Sequence, residues 1–484
     1  MLLNTHILKE NGLNSLILTV ISFLGILISI YFIEYVWVAI VLSLLLIAAV
    51  CYGEKFLISF AVVTLFTLVG DVSQDLRLFI HLLDFMIFGY VFLKTYGFDF
   101  KRYPEVPKVI VVFIILYYVS MLISTIFSSH TAAGFNKIGR QTAFFILAYT
   151  FYGIIFDKNY VKLIVLSTVL ASFVLALSVI GQFILSDFSI INVATGGANR
   201  YHGLIGNILT TTTYLVVAYP FILYKIIRSE TSAERLIYWV AILIFSFALL
   251  LSASRSPVIA VLFNTTLTLY FLNKRLLKKF GISLVIIIAL IVFIPPLSET
   301  ISILLRLESG LSLREYFWAV AVNIIKENWL IGIGPGSYGY EMYNYFPVLI
   351  GSWVGDVLTI TSIVTEGSNS AHNFFLVFFS DMGIPGLLLS IALPVIYFVI
   401  ARNTVEKVKS INSPDYYFVL IIAISGGSLF FRALIDGIGI LSYGFITNDM
   451  PFWLMFMSLM YYNISTDKYE IRNSGLSINK SMDN

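Results

Sequence analysis

The chain has 484 residues, 59% of them hydrophobic and 12% charged, with 30 Lys and Arg against 27 Asp and Glu. A soluble domain carries roughly a quarter charged residues, so half that fraction over this length excludes a water-soluble globular enzyme and indicates a polytopic membrane protein. The net charge of +3 is too small and diffuse for a nucleic-acid partner, and one cysteine, Cys51, leaves no intrachain disulfide, redox pair or thiolate metal site.

The apolar stretch 15–33 is too long for a signal core, lacks a small-x-small cleavage site and leads into further apolar sequence, so it reads as a first span rather than a leader. Crossing the hydrocarbon takes about 20 apolar residues. Candidates follow at 15–33, 35–52, 56–70, 78–96, 109–127, 141–156, 163–185, 208–227, 236–251, 256–272, 281–296, 384–400, 416–434 and 450–463. Several are short, so the expected fold is an all-α polytopic membrane protein with about 12–14 transmembrane helices. The chain shows no internal repeat, and 1–484 reads as a single integral membrane domain.

Lys and Arg mark cytoplasmic loops. The short stretches 94–108, 225–235, 273–279 and 402–409 together hold 14 of the 30 basic residues. With fourteen spans all four fall on one side together with both termini, which places the polar tail 464–484 in the cytoplasm. On the opposite side, 297–373 is one large external loop carrying three basic and seven acidic residues. Within it, Ser312-Leu313-Arg314-Glu315 followed by Tyr316, Phe317, Val320, Ile324 and Ile325 predicts a serine-capped amphipathic helix ending near Asn328. The glycines at 332, 334, 336 and 339 follow a helix rather than a strand, which favours a tight turn over a phosphate-cradling loop.

Ionisable residues at membrane depth are costly and therefore point to function. Arg255, in Leu251-Ser252-Ala253-Ser254-Arg255-Ser256-Pro257, stands at an external helix end against the charge bias, beside serines and a proline that suit an anion. The bland reading is a snorkelling arginine. His372 sits at the external mouth of the next span, as a general-base candidate or a helix cap. Arg314 opens the loop helix, where a cation opposes the helix dipole unless Glu315 or Glu308 compensates; uncompensated, it suggests an external anion. Arg200, before the 208–227 span, offers a further anion contact, and Asp436, at an external span end, could orient a cation or a histidine. His81 and Asp84, three apart on one span, suggest a buried hydrogen-bonded pair or a proton relay. External acids are scattered with no Asp-x-Asp pair, so no metal and no cofactor are expected.

The Arg255 segment, Arg314-Glu315-Tyr316-Phe317-Trp318, the stretch from Asn328 to Gly336, and Ser370-Ala371-His372-Asn373-Phe374-Phe375-Leu376 ending in Met382-Gly383-Ile384-Pro385-Gly386 together resemble the O-antigen ligase and O-antigen polymerase family of bacterial envelope glycan assembly. The resemblance covers roughly 200–445 and departs at Ser256-Pro257, where the family usually has Gly and a small residue. It implies an inverting, metal-independent glycosyltransferase of the bacterial inner membrane, with its active site on the periplasmic side. Its donor would be an undecaprenyl-pyrophosphate-linked glycan that enters sideways from the bilayer. Its acceptor would be a lipid-linked glycan for a polymerase, the favoured reading, or lipid A-core for a ligase. Other polysaccharide-assembly proteins are possible partners. By the same resemblance Arg255 and Arg314 would bind the pyrophosphate and steady its departing charge, and His372 would deprotonate the acceptor hydroxyl. Arg200 would be a further donor contact, and Asp436 the acid that often follows the penultimate span. A polysaccharide transporter is the alternative of another class; it would call for inverted repeats and helices broken at mid-membrane.

Overall fold

The computed structural model describes residues 53–67, 74–158, 160–190, 199–305, 314–347, 351–357 and 370–482. The expected spans at 15–33 and 35–52, with His6 and Cys51, lie outside them, as do Arg306, Glu308 and Ser312.

Among the described residues the fold is all-helical, and every remaining expected span meets a helix. In chain order these are α1 (Glu54–Thr67), α2 (Gln74–Tyr96), α3 (Lys108–Ile126), α4 (Thr131–Lys158), α5 (Val161–Leu185), α6 (Ile208–Arg228), α7 (Ser232–Leu251), α8 (Arg255–Leu272) and α9 (Lys274–Phe293). Then follow α10 (Pro295–Leu304), α11 (Arg314–Asn328), α12 (Phe374–Ser410), α13 (Tyr416–Ala433) and α14 (Ile446–Met482). Eight of them, α3, α5 to α9, α12 and α13, are long and apolar enough to cross a membrane. Two boundaries differ from expectation. The basic run Lys274 to Lys279 is the opening of α9 rather than a loop, because Asn273 accepts from the backbone of Arg275 and Leu276 and so caps the helix there. The residues beyond 463 continue α14 as helix to Met482, through Gly475.

Helices α6 and α13 and the first part of α14 form the buried centre, whereas α9 has no buried residue and lies at the periphery. A proline at the centre of a bundle needs compensation, because it withdraws the N–H that would serve the carbonyl four residues back. In α6 Pro220 does this to Val216, whose carbonyl instead accepts from Asn264 Nδ2 of α8 at 3.0 Å. Ser425 of α13 serves the neighbouring Val217 carbonyl at 2.7 Å. With no water at this depth, the Asn264 amide satisfies what the proline frees. Gly426 lets α12 approach α13 closely: a Cβ there would stand 2.4 Å from the Tyr397 hydroxyl, which donates to Ala423 O at 2.9 Å. Asp84 is fully buried in α2 and accepts from Thr64 of α1 at 2.8 Å, so its partner is a neighbouring helix's hydroxyl instead of His81.

The amphipathic loop helix appears as α11, ending at Asn328 as the sequence predicts, with Phe317, Val320, Ala321 and Ile324 buried against α12. The glycine run after it is a tight turn fastened to a break in α12. Gly383 takes φ 63° and ψ −152°, which interrupts the helix. Its vacated backbone groups pair with the turn. Ile333 N donates to Ser380 O at 3.0 Å, Gly334 N to Asp381 O at 2.9 Å, and Ile384 N to Trp329 O at 2.9 Å. The Asp381 carboxylate adds bonds from Gly336 N at 3.2 Å and Tyr443 Oη at 2.8 Å. Glycine is required on both sides of the contact: a Cβ on Gly332 would lie 2.4 Å from the Asp381 carbonyl carbon, and one on Gly383 would lie 2.4 Å from that of Leu330. The amides of 332, 333, 334 and 336 are all engaged, so none is left to cradle a phosphate.

Candidate active site

Four helices begin around one cavity of about 420 Å³. Asn207 caps α6, accepting from Thr210 N at 3.1 Å, after Gly206 turns the chain at φ 69°. Ser254 precedes α8 without a side-chain capping bond, after Ala253 at φ 47°. Arg314 opens α11. Asn373 caps α12 through Phe375 N and Leu376 N, and its amide also donates to Leu434 O at 2.8 Å, which ties α12 to the end of α13. His372 stands one residue before that cap at φ 48°. The cap is therefore Asn373, and the histidine side chain is available to the cavity.

Arg200, Arg255, Arg314 and His372 all line this space, together with the first residues of α6 and α8, and among the described residues no carboxylate does. Helix N-termini carry partial positive charge, and here they converge with three guanidiniums. The arrangement favours a compact polyanion. Ala253 and His372 hold left-handed backbone conformations at a cost of roughly 1–2 kcal/mol each, and strain of this kind collects at functional sites. The imidazole packs against the Phe317 ring of α11, centroids 5.4 Å apart in T-shaped contact. Burial, then the Arg314 guanidinium, hold the His372 pKa below its usual 6.5, with Asp436 opposing. The neutral ring is thereby favoured near pH 7, as a proton acceptor needs to be.

Asp436 holds a cation, as an acid at a span end could, and does so from behind the cavity wall rather than as a substrate contact. It is fully buried and is not among the lining residues, because three donors hold its carboxylate behind the cavity wall. Arg314 Nη2 reaches Oδ1 at 2.6 Å, Arg432 Nε reaches Oδ2 at 3.2 Å, and the Ser256 hydroxyl also donates to Oδ2. The acid that offsets Arg314 against the helix dipole is thus Asp436, on another element. Ser256, where the chain departs from the family pattern, helps to fix that acid.

Arg432 is the residue the sequence reading passed over. Its guanidinium is buried beneath the cavity, donating to Leu209 O at 2.8 Å, Thr212 Oγ1 at 3.0 Å and Thr213 Oγ1, all in the first turns of α6. An arginine inside the 416–434 span, four residues before Asp436, is the signal that could have found it. Arg200 lies between two anchors. Asn199 donates to Ser189 O at 3.0 Å, and Tyr201 N donates to Leu251 O at 3.2 Å, which sets its loop against the end of α7.

The fold and this cavity define an all-helical polytopic membrane protein with a cationic, histidine-bearing site where several of its helices begin. Residues 240–391 match the family model described as O-antigen ligase. That segment runs from within α7 into α12 and contains Arg255, Arg314 and His372, while Arg200 and Asp436 fall outside it. The family resemblance read from the motifs is borne out there, and the match supports a membrane glycosyltransferase of the O-antigen ligase and polymerase type. No curated protein matches the chain.

Proposed function

We propose that this protein is an inverting, metal-independent glycosyltransferase that polymerises undecaprenyl-pyrophosphate-linked oligosaccharide repeats on the external face of the bacterial inner membrane. The observation that carries this reading is the meeting of Arg200, Arg255, Arg314 and His372 in one cavity at the start of four helices. Neutral His372 takes the proton of the acceptor hydroxyl as its oxygen attacks the anomeric carbon of the donor sugar. The bond from that carbon to the pyrophosphate oxygen breaks on the opposite face, so the configuration inverts. The departing negative charge falls to Arg255 and Arg314, with Arg200 as a further contact. Fixed guanidiniums and helix ends supply the stabilisation that a divalent ion supplies elsewhere. Asp436 is a positioning residue, holding Arg314 by its Nη2 and leaving the remainder of the fork to the donor.

Transfer of a finished chain to lipid A-core is the second reading, favoured by the ligase description of the matched family. The test incubates purified protein with a lipid-pyrophosphate-linked repeat in chelator and resolves the products by size, beside His372→Ala. A ladder that vanishes in the variant supports the polymerase. Transfer that appears only when lipid A-core is supplied selects the ligase, and no transfer to either acceptor overturns both.

A further inference from the structure

A second cavity, of about 340 Å³, lies at the other end of α6, between the start of α5, the end of α6 and the start of α13. Its walls are apolar, formed by Val165, Leu166 and Val169 of α5 with Phe221 and Ile222 of α6, and its mouth carries Lys162 and Lys225. Lys162 is held in place by Asp415 at 2.6 Å, and Asp415 is itself fixed by the Tyr462 hydroxyl at 3.1 Å. That pair leaves most of the ammonium outside protein contact, since the Lys162 side chain is 62% exposed. The mouth therefore carries two lysines against one carboxylate, a surplus of one positive charge.

The depth of this cavity follows from α6. Ile208 lines the first cavity and Lys225 the second, and the seventeen helical steps from one to the other rise about 26 Å. The hydrocarbon core is about 30 Å thick, so the lysines stand at the headgroup level of the opposite leaflet, on the side the basic loops mark as cytoplasmic. Arg228 lies on that face as well, its guanidinium 4.0 Å from the centroid of the Tyr417 ring. An apolar slot open at the bilayer edge, with two ammonium groups at its rim, fits a lipid with one negative phosphate: acyl carbons along Leu166 and Phe221, and the phosphodiester between Lys162 and Lys225. Basic pockets between membrane helices on this side hold anionic headgroups in this way.

We propose that this cavity is a binding site for an anionic phospholipid of the cytoplasmic leaflet, separate from the cavity that holds His372. The test is native mass spectrometry of the full chain released from micelles containing equal phosphatidylglycerol and phosphatidylcholine. The wild type is expected to retain phosphatidylglycerol in preference by about tenfold. The double variant Lys162→Ala/Lys225→Ala should lose that preference, and Lys162→Arg/Lys225→Arg should keep it. Leu166→Trp, which fills the slot without touching charge, should lower occupancy by either lipid, and thermal unfolding of each variant identifies any that has not folded. Equal retention of the two lipids by the wild type overturns the proposal. So does undiminished preference in the folded alanine double variant, or displacement of the lipid by glycerol 3-phosphate alone, which would assign the lysines to a soluble phosphate.

Discussion

Asparagine at position 436 probes the charge arrangement beneath the first cavity. Two guanidiniums, Arg314 and Arg432, share the single Asp436 carboxylate, and both Asp436 and Arg432 are fully buried. Asp436→Asn preserves side-chain shape but leaves two neighbouring cations without their counter-charge. Removing one partner of a buried ion pair costs about 3–5 kcal/mol. Arg314 keeps 17% exposure, and water screens its share, so the expectation is the lower end, about 3 kcal/mol. Arg432→Met alone leaves Arg314 and Asp436 as a one-to-one pair and strips donors from Leu209, Thr212 and Thr213. In Asp436→Asn it also removes one of the two repelling cations. The double variant should therefore lie at least about 1 kcal/mol closer to wild type than the sum of the singles. Equilibrium unfolding in mixed micelles of sodium dodecyl sulfate and a mild detergent, followed by tryptophan fluorescence, reads all four proteins. Additivity within about 0.5 kcal/mol, or a loss below about 1 kcal/mol for Asp436→Asn, would refute the shared-carboxylate account.

Three further outcomes follow from the same geometry. If His372 acts as the base, turnover requires its neutral ring. The acidic limb of the pH–rate profile should then fall below pH 6.5, and Arg314→Met, by removing a cation that lowers the pKa, should move that limb upward in whatever activity remains; a limb that stays in place would count against the contact. Arg255→Ala should slow turnover about 10²–10³-fold, the effect of deleting one stabilising donor at a developing charge. Inorganic pyrophosphate should also inhibit it less than the wild type, and unchanged inhibition would remove Arg255 from the anion site. Gly383→Ala places a Cβ 2.4 Å from the Leu330 carbonyl in a left-handed conformation, so its melting temperature in detergent should fall by several degrees, whereas Gly427→Ala, whose Cβ has its closest contact at 3.2 Å with a Phe398 ring atom, should fall less.

The helices and the cavity's charged residues were legible for different reasons. Spans announce themselves because apolar length is set by the bilayer, and every expected span within the described residues meets a helix. Arg255, Arg314 and His372 were legible because a charge or a titratable ring at an external helix start is costly and local to its sequence. What escaped depends on tertiary partners. Arg432 reads as one more residue of an apolar span until α6 brings Leu209, Thr212 and Thr213 to it. Asp436 reads as an acid that could orient a cation or a histidine, and its actual partners appear only when Arg314 and Ser256 arrive from elements far away in the chain. Asn264 carries no local signal at all, since its role is created by Pro220 on another helix.

The fastening of the glycine turn to α12 has a consequence for how this sequence can drift. Its three main-chain bonds, Ile333 to Ser380, Gly334 to Asp381 and Ile384 to Trp329, are indifferent to most side chains but depend on residue count. Exchanges at Ile331 or Ile333 among apolar residues leave them intact. Inserting or deleting one residue between Trp329 and Gly334, or between Ser380 and Ile384, puts every donor opposite the wrong acceptor. Length should therefore be invariant here among related chains even where identity is not, and an epitope tag or fluorophore loop placed in either stretch should unfasten the segment that brings Arg314 and His372 to the cavity.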